Sequence, residues 1–569
     1  MKVLHYILTL LLLLSLAACR DQRSEDLVEQ RTIGDSLYVQ LALDLPNTSN
    51  ATRAVPNGGE EGDGWEAGSD NETLLYDFTV FVLSNADINA PSNTTFAGMR
   101  YFSHAEVVEA DSLYEENLRL KDYDVKKDVK TYDFTIPIVR EQTGNIQNAD
   151  IYRFIVIANK GDLTQTFQTL GELRGEDLSF GSDDWSPHSK GIPDKIWTDS
   201  DNGPIRFVMT NENDQFYAGS AGTSQTPLRL HVSLERMAAR IDFDPKGSTK
   251  VNGSLCYPLK SETNQLLANL YVDNMAIING CIKPSYYIKR VANFDGTNLT
   301  NLTYLGDETP TPSGISTNYV IDPYFLQKTN ANRTDNTLLN ALFGNNQISN
   351  VSSILAAETS KISSIITSDT PETVTLAYVN ENTYFRDMAV KEYTTGVVLK
   401  CRFEPKHNYY VGYNAATDVL TTPEETVEDD DYVRGTTFYM VEPNKEDICE
   451  ADRLYFSTEA AAIAYATNTA KGHFGKVVKY EDGVCYYCIY MRHSNNVEVI
   501  HDTMEFGIVR NNIYRFSINA ATGPGSPRLY DPNDNDDTDD TYNPRDPEEL
   551  KARIYVKKWV SVEHPIIYV

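Results

Sequence analysis

The chain has 569 residues, with 81 acidic against 50 basic side chains and a formal net charge of -31. A charge of that sign and size repels phosphates and excludes a nucleic acid partner. The length is enough for at least two hydrophobic cores, and tyrosine (35) far outnumbers tryptophan (4).

The first residues read as an export signal. Lys2 supplies the positive start, and Ile7 to Leu16 form an apolar run too short for a spanning helix of ~20 residues. Leu16-Ala17-Ala18-Cys19 has the form of a lipidation box, in which Cys19 takes a diacylglycerol on its thiol. A plain secretion signal with a chance cysteine is the alternative. Residues 1–18 are thus the predicted signal, and 19–53 a propeptide. Within the propeptide Leu37, Val39, Leu41, Leu43 and Leu45 alternate with Tyr38, Gln40, Ala42 and Asp44, a period-2 strand with one apolar face. Arg53-Ala54 follows in a loop-like run, placed as a protease site between a separable strand and the start of a new domain. A surface arginine in a loop is the plainer reading. Arg20, Arg23 and Arg31 are further basic sites upstream, and cleavage after Arg31 leaves the strand attached.

Strands dominate from there. Tyr76–Leu83 and Tyr132–Val139 alternate, with Pro137 favouring a sheet edge. Ile151–Ala158 is a nearly continuous apolar run, as suits a central strand. A short helix is predicted over Leu163–Leu173, then a strand pair in Leu228–Phe243 carrying Arg236 and Arg240. A composition shift near Pro245 divides a first β-sandwich domain, 54–245, from a second, 246–522. In the second, strands are predicted at Leu267–Ile278, Tyr286–Val291, Thr373–Val379, Val397–Phe403, Thr436–Val441, Val484–Met491 and Ile513–Ile518. Helices are predicted at Asp335–Phe343, Ser349–Ile366 and Ser457–Thr469, the last capped by Ser457 or Thr458. Strands spaced by turn signals with few helices define an all-β chain of two sandwiches with helical and loop insertions.

Residues 523–552 are Pro-, Asp- and Asn-rich, too poor in apolar side chains to fold alone, and read as an acidic linker. Asp531–Asp540 suggests calcium, but an EF-hand counted from Asp531 has Asp536 where glycine is needed and Tyr542 where glutamate is needed. After the linker, 553–569 is rich in Ile, Val, Tyr and Trp. Val560, Val562 and Ile566 suit one strand face and Trp559, Ile567 and Val569 the other, while Pro565 lacks a ladder donor. It is either a strand donated to another molecule or the last strand of its own domain.

Chemistry-bearing motifs are few. Only nine histidines occur, and there is no nucleophile elbow, HExxH, Walker loop or dinucleotide fingerprint, so neither an enzyme nor a cofactor or metal is expected. Cys485 and Cys488 form a CxxC on a predicted strand, where residues three apart point to opposite faces and cannot share a metal. Core packing or one disulfide fits the six cysteines after Cys19.

Four stretches together resemble the fimbrillin superfamily of Bacteroidales, nearest its minor-fimbria shaft subunits: the lipidation box with Arg53, Leu234–Ile241, Phe506–Ile518, and the linker ending in Val556–Val562 with Trp559. The resemblance implies two transthyretin-like sandwiches and a lipoprotein precursor at the outer membrane. It implies an arginine-specific protease that cuts at Arg53-Ala54 and removes the first strand. A neighbour's C-terminal strand, here from about Lys557, then fills the groove. The partners implied are other copies of the chain and fimbrial anchor and tip subunits. Burying four or five aliphatic side chains in such a groove is worth on the order of 6–15 kcal/mol before ordering costs. The rival readings are a glycan-binding surface lipoprotein, using tyrosines as stacking platforms, and a fimbrial tip adhesin.

Overall fold

The structure is a computed structural model that describes residues 36–44, 65–68, 72–107, 129–137, 151–175, 197–198, 206–218, 227–251, 254–261, 263–283, 285–294, 299–305, 318–357, 372–423, 435–443, 452–493, 505–529 and 550–560. They are arranged mostly as β-sheet, in an all-β chain.

The N-terminal half contributes β1 (Ser36–Asp44), β2 (Trp65–Ala67), β3 (Phe78–Ser84), β4 (Gly98–Phe102), β5 (Val129–Pro137) and β6 (Ile151–Ala158). After helix α1 (Leu170–Arg174) come β7 (Trp197–Thr198), β8 (Arg206–Phe207), β9 (Met209–Asn211), β10 (Gln215–Ala218) and β11 (Leu228–Arg236). One sheet runs β4-β3-β6-β9-β11-β1-β5, with β10 also on β6. The strands at its two ends, β4 and β5, touch, so the sheet curls around its core. Ile151–Ala158 lies inside the sheet, as its nearly continuous apolar run suits, and Pro137 ends the edge strand. The Asn211 side chain fills the gap along β6 between its pairings with β9 and β10: Val156 N–H donates to its Oδ1 (2.7 Å) and its Nδ2 donates to Phe154 O (2.8 Å).

The predicted helix at 163–173 is shorter than expected. Thr169 caps it with a reciprocal capping box to Glu172, so helix begins only at Leu170, and the residues before it form turns. Nor do the two strands within 228–243 pair with each other. Between Arg236 and Ala239 the chain leaves the first sheet, and β12 (Ala239–Asp244) enters a second, some residues before Pro245.

The C-terminal half adds β13 (Thr249–Val251), β14 (Ser254–Lys260), β15 (Leu266–Ile278), β16 (Arg290–Phe294), β17 (Leu299–Tyr304) and β18 (Asn318–Val320). Helices α2 (Asn336–Phe343, capped by Asp335) and α3 (Val351–Ala357) precede β19 (Val374–Val379) and β20 (Gly396–Pro405). Residues 286–289, predicted as strand, are not; the strand there starts at Arg290. An inserted module follows: β21 (Tyr409–Tyr410), β22 (Gly412–Asn414), β23 (Val419–Thr421), β24 (Phe438–Pro443), β25 (Leu454–Phe456), α4 (Glu459–Ala466, capped by Thr458) and β26 (Gly475–Tyr480). The last described strands are β27 (Val484–Tyr490), β28 (Asn512–Ala521) and β29 (Leu550–Val560).

Two five-stranded sheets, β19-β12-β28-β29-β2 and β13-β14-β15-β20-β27, enclose one core that includes Ile241, Phe243, Leu270, Val272, Leu399, Phe403, Ile489, Phe516 and Ile518. The outer face of β15 and β20 is covered by α2 and α3 through Leu338, Leu342, Phe343 and Ile354. Cys401 and Cys485 lie opposite each other across β20 and β27 in the inner core, while Cys488 packs on the outer side, as the CxxC spacing on a strand requires. Among the described residues the cysteines form no disulfide.

Candidate strand-exchange groove and domain junction

β1 fills an interior place in the first sheet. It runs parallel to β11, with Val39 opposite Leu228 and Leu43 opposite Val232, and antiparallel to β5, with Leu37 opposite Ile136 and Leu43 opposite Lys130. Leu37, Val39, Leu41 and Leu43 are 0–2% exposed. They meet Leu75, Phe78, Val80, Phe154, Leu230 and Val232 in the core. Tyr38 and Gln40, on the other face, are half-buried. Among the described residues β5 pairs only with β1. Withdrawal of β1 therefore opens two backbone edges at once and strips one wall of the core. Leu45, Cys19, Arg53 and Ala54 lie outside the described residues.

The second feature is a buried ionic junction where the chain crosses between sheets. Arg236, fully buried, donates from Nε to the Glu72 carbonyl (2.6 Å) and from a terminal nitrogen to Asn511 Oδ1 (3.2 Å); burial pulls its pKa down to about 9. Arg240 reaches the carboxylates of Glu72 (3.0 Å), Glu66 (2.8 Å) and Asp242 (2.9 Å). Tyr378 donates its hydroxyl to Glu72 (2.7 Å). Glu66 on β2 also binds Arg515 of β28 and Lys557 of β29 (3.2 Å). Burial pushes its carboxyl up, but Arg515 and Lys557 outweigh this and leave it below the ordinary value. Beside this set, Arg510 forks onto Glu381 (2.6 and 2.9 Å) and donates to Tyr286 O (2.7 Å). Glu235 meets Lys289 at 3.2 Å; burial raises its carboxyl, with Lys289 and Arg510 opposing. Asn511, at φ 57°, turns its N–H to Ala238 O (2.7 Å). Leu234–Ile241 and Phe506–Ile518, distant in sequence, are thus two sides of one joint.

The third feature is the chain's last described strand. β29 pairs antiparallel with β28 from Asn512 opposite Lys558 to Ala521 opposite Leu550, and parallel with β2, Trp65 opposite Lys558 and Ala67 opposite Val560. Leu550 and Val556 are buried in the C-terminal core, with Ala552 and Ile554 packed against it. This corrects the sequence expectation on two points. The linker ends before Leu550, not at 552. The segment from Arg553 to Val560, expected as part of a donated strand, is the last described strand of its own sheet in this single chain, where Ala552, Ile554 and Val556 pack on the core that holds Tyr514, Phe516 and Ile518. The backbone of Trp559 and Val560 belongs to this strand; Val562, Ile566, Ile567 and Val569 lie outside the described residues. The linker also starts later than expected. Tyr487 donates to Gly523 O (2.7 Å), Tyr480 to Gly525 O (3.1 Å), and Ser526 bridges Tyr486.

Among the described residues no three His, Cys, Asp or Glu side chains converge as a metal site, and no helix is long and apolar enough to cross a membrane.

The comparison with known families bears on the C-terminal strands just described. Residues 478–564, from β26 through β29 and beyond, match the family described as Major fimbrial subunit protein type IV, Fimbrillin, C-terminal. No curated protein matches the sequence. Similar solved structures include a fimbrilin (fimA) from Porphyromonas gingivalis W83 (13% identity, 92% of this chain and 99% of that one, TM-score 0.32). The tip fimbrial protein Mfa3 from Porphyromonas gingivalis, truncated at its C-terminus, is similar at 8% identity over 92% of this chain and 100% of that one, TM-score 0.30.

Proposed function

We propose that this chain is the shaft subunit of a cell-surface fimbria that polymerises when β1 is removed by cleavage at Arg53-Ala54 and replaced by a segment of the next copy. The observation that carries the reading is the position of β1: it is interior to its sheet, all four of its described inward side chains are buried, and a single cut in the sequence after it separates it from the rest of the chain. Four such side chains represent roughly 6–12 kcal/mol of apolar burial, enough to hold an incoming strand after its ordering cost.

The donor in this reading is 561–569, the nine residues that follow β29. An arginine-specific protease, a lipid on Cys19 holding the precursor at the outer membrane, and anchor and tip subunits are the partners this mechanism requires. The two sandwich domains would be of transthyretin type, meeting between Arg236 and Ala239 where the chain crosses from one sheet to the other, with β29 part of the second.

The test is N-terminal sequencing of fimbriae sheared from the cell surface. The expected start is Ala54, and an Arg53→Ala chain stays monomeric on the membrane. Fibres whose subunits begin upstream of Leu37 refute the mechanism.

A further inference from the structure

Lys328 lies outside the groove and the junction, yet it is one of the most completely enclosed cations in the protein, with its side chain 0% exposed. It follows a short 3-10 turn, Phe325–Gln327, in the segment between β18 and α2. Its Nζ donates to Asp322 Oδ2 (2.6 Å), Asn382 Oδ1 (2.8 Å) and Thr383 O (2.8 Å). Asp322 is held in place by N–H groups of Tyr324 (2.7 Å, on Oδ1) and Thr383 (2.6 Å, on Oδ2) and by the Thr383 hydroxyl (3.1 Å). The Asn382 carboxamide is oriented from its other end: Nδ2 donates to Tyr393 O (2.8 Å) and to Thr395 Oγ1 (3.0 Å). A carbonyl acceptor on the nitrogen side and an ammonium donor on the oxygen side leave only one assignment of the amide. Phe325, Tyr384 and Tyr393 are 0–1% exposed, and the Tyr384 ring centre is 5.8 Å from Nζ, so the three reacting groups meet in a dry pocket.

An amine, a carboxamide and a carboxylate fixed in this way have a reaction open to them. Nζ is no more than about 4 Å from Asn382 Cγ, the 2.8 Å contact plus a C=O bond of ~1.23 Å. That is close to the 3–3.5 Å of a near-attack arrangement. We propose that Lys328 and Asn382 are joined by an intramolecular isopeptide bond, formed by the protein itself with Asp322 as the proton carrier. A proton passes from the ammonium to the Asp322 carboxylate along their 2.6 Å contact, which leaves a neutral amine beside a neutral acid. The amine lone pair attacks Cγ, and the Nζ–Cγ bond forms. The acid donates to the tetrahedral centre and takes up the second Nζ proton, so the Cγ–Nδ2 bond breaks and Nδ2 leaves as ammonia. Carboxamide and ammonium become a secondary amide plus ammonia and one proton. No oxidant, metal or other reactant is consumed. Burial favours the change, since a charged pair away from water is replaced by a neutral amide.

The bond ties the segment preceding α2 and α3 to the residues just after β19. Asn382 is further bridged by its backbone to Ile508, shortly before β28. A covalent brace would therefore clamp the helical insertion onto the C-terminal sandwich. This inference does not rest on strand exchange.

The test is peptide mapping of the folded, exported wild-type protein. After denaturation and trypsin digestion, the expected result is no cut after Lys328 and a branched species that joins the Lys328 and Asn382 peptides. Its mass should be lower than their sum plus nothing else by one ammonia, about 17 Da. The Asp322→Asn chain should restore the cut and give both peptides linear, at full mass. A linear peptide ending at Lys328, with unmodified Asn382 recovered from wild-type protein after long incubation, overturns the proposal. The wild-type map decides the matter even if Asp322→Asn fails to fold.

Discussion

Replacing Leu41 by alanine separates the precursor from the fibre. Leu41 is 0% exposed in the middle of β1, between Leu230 of β11 and Tyr132 of β5 in the register. Truncating a buried leucine costs about 2–5 kcal/mol, the lost transfer energy plus the cavity left behind. For a unit of 150–250 residues each kcal/mol lowers the melting temperature by roughly 2–4 °C. In an Arg53→Ala background, where β1 stays attached, calorimetry or circular dichroism should show Leu41→Ala melting lower by several degrees. In fibres assembled from cleaved protein the same substitution should change nothing, because the altered strand has been discarded. Equal destabilisation of precursor and fibre would mean that β1 still occupies its place in the polymer, and strand replacement would be refuted.

Deleting 561–569 should leave a folded monomer, since β29 keeps its pairing with β28, but one unable to lengthen a fibre; gel filtration and electron microscopy after proteolysis report both outcomes. His493 supplies a pH dependence. Its imidazole is buried beside the Tyr514 hydroxyl (2.9 Å), and burial lowers its pKa to about 4 from 6.5. Between these values the unfolded chain binds a proton that the folded one does not, so stability is full above about pH 6.5 and falls as the pH drops toward 4, by up to roughly 3 kcal/mol. Urea titrations at pH 7 and pH 4.5 should show this loss, and His493→Gln should reduce it.

Much of the sheet architecture was legible because it rests on side-chain alternation. Leu37 to Leu43, Phe78 to Leu83 and Ile151 to Ala158 each announce a strand, and the continuous run announces the central one. Helix starts at Asp335 and Thr458 were legible from their caps. The long-range decisions were not. Nothing local states that Arg236 and Arg240, two cations in an apolar run, mark a crossing between sheets; their partners Glu66, Glu72 and Asn511 are remote in sequence. The same holds for β29. Its alternation suits any open edge, and only the unpaired side of β28 and the core beneath it decide that residues 550–560 dock at home. Lys328 and Asn382 gave no signal, because a reactive trio separated along the chain has no spacing to recognise.

The placement of β29 changes how a filament of such subunits would carry tension. A pull on the tail acts along the axis of a strand bonded side by side to β28 from Leu550 to Lys558. Those bonds are strained in shear, all together, instead of being peeled open one after another. The acidic stretch 530–549 precedes β29 in the chain, so force arriving from the tail passes into the sandwich before reaching it, and the load is met first by a strand clamped side-on in its sheet.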